Sequence, residues 1–137
     1  DVCSSDLEQL NNLDNDFKTQ LSNVSNKKIV VSHEAYSYLC SAYGLEQTSI
    51  DGISADSEPS PAKMKEIADY IKANNIKYIF FEELVSPKIA QSLADETGVQ
   101  LLALNPFEGL EQEDIDNGAD YISVMEENLK NLVTALK

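Results

Sequence analysis

The sequence predicts an α/β domain built on a four-stranded, mostly parallel sheet flanked by helices, with a helix leading into it. Three observations carry that prediction. Short apolar runs alternate with stretches of helical spacing along the chain. Three of the four runs are nearly continuous in apolar residues, the pattern of strands covered on both faces. The helical stretches are punctuated by Ser-Pro and Gly signals, where helices start and stop. A chain of 137 residues holds one good core and not two comfortable ones.

The elements come in this order. Leu7, Leu10, Leu13, Phe17, Leu21 and Val24 stand at helical spacing behind a capping-box pattern of Ser5 and Glu8, predicting a long amphipathic helix over 5–25. "KKIVVS" (27–32) reads as a short buried strand, followed by a helix from about Glu34 to Tyr43 that Gly44 stops. "TSIDGIS" (48–54) is a weak second strand. Ser60 as cap and Pro61 at the first helical position open a helix whose core face is Met64, Ile67, Ala68 and Ile71. "IKYIFFEE" (76–83) is the clearest strand, and Ser86–Pro87 repeats the cap-then-proline device before a helix carried by Ile89, Ala90, Leu93 and Ala94 to Gly98. "VQLLALNP" (99–106) is the fourth strand. After a polar stretch, Ile122, Met125, Leu129, Leu132, Val133 and Leu136 predict a terminal amphipathic helix.

Composition excludes several functions. With 24 acidic against 10 basic residues the formal net charge is −14, which opposes binding to nucleic-acid backbones and to anionic membrane surfaces. Cys3 and Cys40 make no disulfide framework, and no CxxC suggests zinc or redox chemistry. The longest apolar runs are too short to cross a membrane, and no signal peptide is read in the residues at hand. No GxGxxG or GxxxxGK[ST] follows the first strand, and no GxSxG elbow accompanies the serines. Tyr36, Tyr38 and Tyr43 form an aromatic stripe at helical spacing, read here as packing.

In parallel sheets ligands bind outside the carboxyl ends of the strands. That rule singles out His33, the one histidine, which follows the first strand. Glu82 and Glu83 close the third, and Glu108 follows the fourth after "NPF". One imidazole with one or two carboxylates is a partial ligand set for a divalent metal, short of the four donors of a closed tetrahedral site. Two other readings stay open on pattern alone. His33 and its acidic neighbours can be capping or packing groups near helix starts, or a general acid–base pair of His33 with Glu82 or Glu83.

Residues 28 to 137, and above all "SHEAY…YGL", "EPSP", "IFFEE" and "LNPFEGL" taken together, closely resemble the carboxy-terminal lobe of the metal-specific solute-binding proteins of ABC importers. Within that family the chain looks most like the zinc-uptake receptors of Gram-positive bacteria. The resemblance implies one lobe of a two-lobed metal-receptor fold, over 27–137, with residues 1–26 the end of the long helix that joins the lobes. It implies a metal held in the cleft between lobes, by two histidines of an amino-terminal lobe that this chain lacks and two donors from this one. His33 of "SHEA" matches the third donor, and Glu108 after "LNP" matches the fourth. Glu82 of "FFEE" matches a recurrent glutamate beside the site, expected to support a ligand by hydrogen bonding and not to bind the metal itself. The isolated lobe is then expected to hold half a site and to bind metal weakly.

Manganese receptors of that family place a carboxylate where this chain has His33, and imidazole suits zinc. Zinc is therefore the expected cargo and manganese the alternative. The resemblance further implies a non-enzymatic, extracellular, cell-surface lipoprotein. Its partners would be a membrane permease and a cytoplasmic ATPase, and its membrane contact only a lipid anchor outside this chain. From other classes, the competing readings are a small hydrolase-like domain using His33 and Glu82, and an interaction module without ligand.

Overall fold

The computed structural model describes residues 2–50, 59–107, 112–118 and 120–137, with 2–4 and 114 described by backbone only. Four strands, β1 (Lys28–Val31), β2 (Glu46–Ser49), β3 (Tyr78–Phe81) and β4 (Gln100–Ala103), form one sheet in the order β2-β1-β3-β4. All three pairings are parallel, with Val30 opposite both Thr48 and Ile79, and Ile79 opposite Leu101. Parallel neighbours need crossover connections. Here α2 (Ser37–Tyr43), α3 (Pro61–Ala73) and α4 (Lys88–Thr97) lie between successive strands, with α1 (Val2–Ser22) before them and α5 (Gln112–Asp116) and α6 (Tyr121–Leu136) after.

The two-residue period of the strands sorts the core into two halves. Ile29, Val31, Phe80 and Leu104 join Leu13, Phe17 and Leu21 of α1, Cys40 of α2 and Leu129, Leu132 and Leu136 of α6. On the other face Val30 and Ile79 pack with Ile67, Ala68 and Ile71 of α3 and Ala90, Leu93 and Ala94 of α4. Each fully buried Ile, Leu or Phe removes enough apolar surface from water to contribute about 1.5–3 kcal/mol.

Local signals decided most of the boundaries. Ser60 caps α3 by accepting from the Lys63 N–H at 3.2 Å, with Pro61 in the first turn. Gly44 and Gly98 end α2 and α4 in the left-handed conformation, at φ 70° and 78°, where a Cβ would be strained. Four expectations are corrected. The helix α1 begins at Val2, so Ser5 and Glu8 lie inside it and do not cap it; no proline or glycine precedes Ser5 to stop propagation. It also ends at Ser22, where the Lys27 ammonium donates to the Leu21 carbonyl. At α4 the Ser86–Pro87 device fails: Pro87 itself is the N-cap, at φ −81° and ψ 4°, and no side chain caps the helix. Strand β2 spans 46–49 and not 48–54, because pairing of Glu46 through Ser49 with β1 overrides the poor strand propensity of Glu and Gln; residues 51–54 lie outside the described ones.

Two features were not anticipated. A short α5 occupies part of the polar stretch. A reciprocal capping box opens α6, with Asp120 accepting from the Ser123 N–H at 2.8 Å and Ser123 Oγ accepting from the Asp120 N–H at 2.9 Å.

Candidate functional site at the carboxyl edge of the sheet

Because the strands are parallel, the residues just past Val31, Ser49, Phe81 and Ala103 share one edge. Five polar or charged side chains are buried among the described residues: Ser32, His33, Ser49, Glu82 and Asn128. All five belong to this edge. Ser32 and His33 follow β1, Ser49 ends β2, Glu82 follows β3, and Asn128 of α6 meets the chain as it leaves β4.

Strands β1 and β3 are direct neighbours, with Val31 opposite Phe80, so the residues after them are adjacent by construction. The Ser32 hydroxyl bridges the two strands, donating to the Phe80 carbonyl at 3.3 Å. The chain then bends at His33, whose carbonyl accepts from the Ala35 N–H at 2.9 Å. This bend takes up 33–36, so α2 starts at Ser37 and not at Glu34. His33 Nδ1 comes to 2.5 Å from Glu82 Oε1, and both side chains are nearly removed from solvent. The pair makes a close contact and not a straight, well-formed hydrogen bond. With Nδ1 against a carboxyl group, Nε2 is the ring nitrogen left to act as a donor.

Of the other sequence candidates, Glu83 lines a cleft of about 200 Å³ with Ala103, Asn105, Ser123 and Asn128. Glu108 lies outside the described residues. Among the described residues, no group of three or more His, Cys, Asp or Glu side chains could hold a metal. The aromatic stripe divides. Tyr36 is buried and donates to the Leu104 carbonyl at 2.7 Å. Tyr43 stacks on Phe17 at 5.0 Å and donates to Asp14 Oδ1 at 2.8 Å. Tyr38, against expectation, is 95 % exposed and packs on nothing in the core. Cys40 is a free, buried thiol, pushed by burial up to about 11, which suits packing and not reactivity.

Asn105 and Asn128 are the edge residues that sequence reasoning missed. The signal was available: Asn128 stands in the same helical stripe as Met125, Leu129 and Leu132, a polar residue in an apolar register.

A doubly covered parallel sheet whose buried polar groups collect on the carboxyl edge is the architecture of a ligand-binding α/β domain. The chain belongs to the family "Zinc-uptake complex component A periplasmic", whose model matches residues 5–135. It is 46% identical to the zinc-binding lipoprotein AdcA of Streptococcus pneumoniae (strain ATCC BAA-255 / R6) over 126 residues, 92% of this chain and 25% of that protein. It is 39% identical to the high-affinity zinc uptake system protein ZnuA of Bacillus subtilis (strain 168), over 95% of this chain and 41% of that one. The fold matches the crystal structure of the Zn(II)-bound ZnuA-like domain of Streptococcus pneumoniae AdcA with a TM-score of 0.81 and 44% identity, covering 97% of this chain and 50% of that one. It matches the laminin-binding protein Lmb of Streptococcus agalactiae, described as a bifunctional adhesin and metal transporter, with a TM-score of 0.85 and 37% identity, over 95% of this chain and 49% of that one. The chain thus spans half or less of these relatives.

Proposed function

We propose that this chain is the carboxy-terminal lobe of a zinc receptor that serves an ABC metal importer. The observation that carries the reading is the His33–Glu82 contact of 2.5 Å at the ligand-binding edge of the sheet, in a chain 46% identical to a zinc-binding lipoprotein. In this reading His33 and Glu108 are the two donors of this lobe, and Glu82 orients and polarises the His33 ring without binding the ion. Two further donors come from an amino-terminal lobe, and residues 1–26 are the end of the helix that joins the two. Coverage of 50% of the zinc-bound AdcA domain supports that division. Three imidazoles with one carboxylate make a set suited to zinc, and a carboxylate in place of His33 would favour manganese.

No covalent chemistry is needed. Function is capture between lobes, partial closure, and release to a permease driven by a cytoplasmic ATPase, with the receptor tethered outside the cell by a lipid anchor. The acidic balance of −14 mildly concentrates dications near the surface.

The test is competition binding of zinc against manganese to the full-length protein and two variants. His33→Glu is expected to lower the zinc-to-manganese preference, because it replaces an imidazole nitrogen with a hard carboxylate oxygen. Glu108→Gln is expected to weaken both metals. Thermal melts without metal should stay close to the parent for Glu108→Gln and fall for His33→Glu, which sets a second carboxylate against the buried Glu82. An unchanged metal ratio in His33→Glu would remove His33 from the site and the zinc reading with it.

A further inference from the structure

The chain leaving β4 is held by one buried side chain. Asn128, on the core face of α6 and 4 % exposed, meets the main chain of Asn105 through both ends of its amide. Its Oδ1 accepts from the Asn105 N–H at 2.9 Å, and its Nδ2 donates to the Asn105 carbonyl at 2.7 Å. A neighbouring strand would make the same two bonds. Protection of an open sheet edge does not account for it, because β4 has ended at Ala103, and there Asn131 already donates to the Ala103 carbonyl at 2.8 Å. Nor does apolar packing ask for it: a leucine would fill the stripe, and what it would forfeit is the pairing of the Asn105 N–H and carbonyl.

Just beyond Asn105 the chain is strained and tightly specified. Asn105 Oδ1 accepts from the Phe107 N–H at 2.8 Å. Phe107 sits at φ 61°, a left-handed conformation that side chains avoid and that persists only where the surroundings over-determine it. Its ring is held edge-on by Tyr121, with centroids 5.3 Å apart and planes at 88°. Glu108 is the next residue in sequence.

We infer that Asn128 is a positioning residue for metal capture, acting through the Asn105 main chain to fix the backbone of 105–107, which Glu108 follows in sequence. The inference rests on the reading of Glu108 as a donor. In the full-length protein, Asn128→Leu keeps the volume and removes both bonds. It is expected to weaken zinc binding about 10-fold or more, in the range found when supports of a ligand are removed. It should also alter the visible ligand-field bands of bound cobalt(II), which report donor geometry. In a Glu108→Gln background the same substitution should add no further loss, since its route to the metal is gone. Should Asn128→Leu fail to fold, Asn128→Ser, too short to reach both groups of the Asn105 main chain, carries the same two expectations. Wild-type zinc affinity and cobalt bands in the variant that folds, with Glu108→Gln weakened, overturn the inference alone. An equal loss in the Glu108→Gln background also overturns it, by showing a different route. Glu108→Gln with unchanged zinc affinity removes the donor reading and this inference together.

Discussion

The two ends of the sheet solve different problems with polar side chains. At the amino end, Lys27, Lys28, Asn26 and Asn74 tie loops together while keeping part of each side chain in water. The Lys28 ammonium bonds Asn74 Oδ1 at 2.6 Å and lies 5.7 Å from the centre of the Tyr70 ring, and Asn26 donates to the Asn74 carbonyl at 3.2 Å. At the carboxyl end Ser32, His33, Ser49, Glu82 and Asn128 are buried. Burying polar groups costs stability unless they are paired, so a fold that only needed closing would have used the amino-end solution twice. Among the described residues, the concentration of buried polarity on one edge supports the proposal that this edge is the functional one.

Substitutions at the two ends should therefore separate binding from stability. The largest expected effect is at Glu82. Glu82→Gln keeps the shape and removes the charge against His33 Nδ1, and is expected to weaken zinc binding in the full-length protein by roughly 10–100-fold. Calorimetric titration with zinc checks it, and parent-like affinity would show that the contact matters to folding alone. Asn74→Ala is the matching change at the amino end. It removes the acceptor for Lys28 and the bond from Asn74 Nδ2 to the Tyr70 carbonyl at 2.9 Å, which should cost about 1–2 kcal/mol in denaturant unfolding. Zinc affinity should not move; if it does, the division between the two ends is not functional.

The smallest effect is a pH dependence away from both ends. Burial first, and then the hydrogen bond to Asp14, push Tyr43 from 10.0 up to about 12. A group whose pKa is raised by folding contributes stability that is intact below its unfolded value and lost as pH rises through the folded one. The protein should lose this contribution between about pH 10 and about pH 12, and Tyr43→Phe should lack that part of the decline. Lys18 first, and then Tyr43, hold the Asp14 carboxyl below its ordinary value. The same variant should therefore bring the Asp14 titration closer to that value, as seen by NMR. Parallel pH profiles for parent and variant would show that the bond is not maintained in solution.

Much of the fold was legible because local rules and burial agree. Alternation of Val30 and Ile79 against Val31 and Phe80 predicts a sheet covered on both faces, and Ser60–Pro61, Gly44 and Gly98 act through backbone geometry that needs no neighbours. Where two local signals compete, the sequence misled. Ser5 and Glu8 match a capping box, yet the helix runs through them to Val2. Ser86–Pro87 copies Ser60–Pro61 without capping anything. Tyr36 and Tyr43 stand seven residues apart and so share a face, but Tyr38, two residues from Tyr36, points away from both and into solvent.

The candidate site divides the same way. By itself the sequence determined the fold class, the two core faces and the edge on which His33 and Glu82 must stand, since parallel strands bring their carboxyl ends together whatever the loops do. The tertiary structure alone decided that β1 and β3 are neighbours, and so that His33 Nδ1 touches Glu82 Oε1. It alone decided that Asn128 reaches back across 23 residues of sequence to Asn105. Strand order and helix docking depend on how whole faces pack against one another, a sum over many distant contacts that no window of sequence contains.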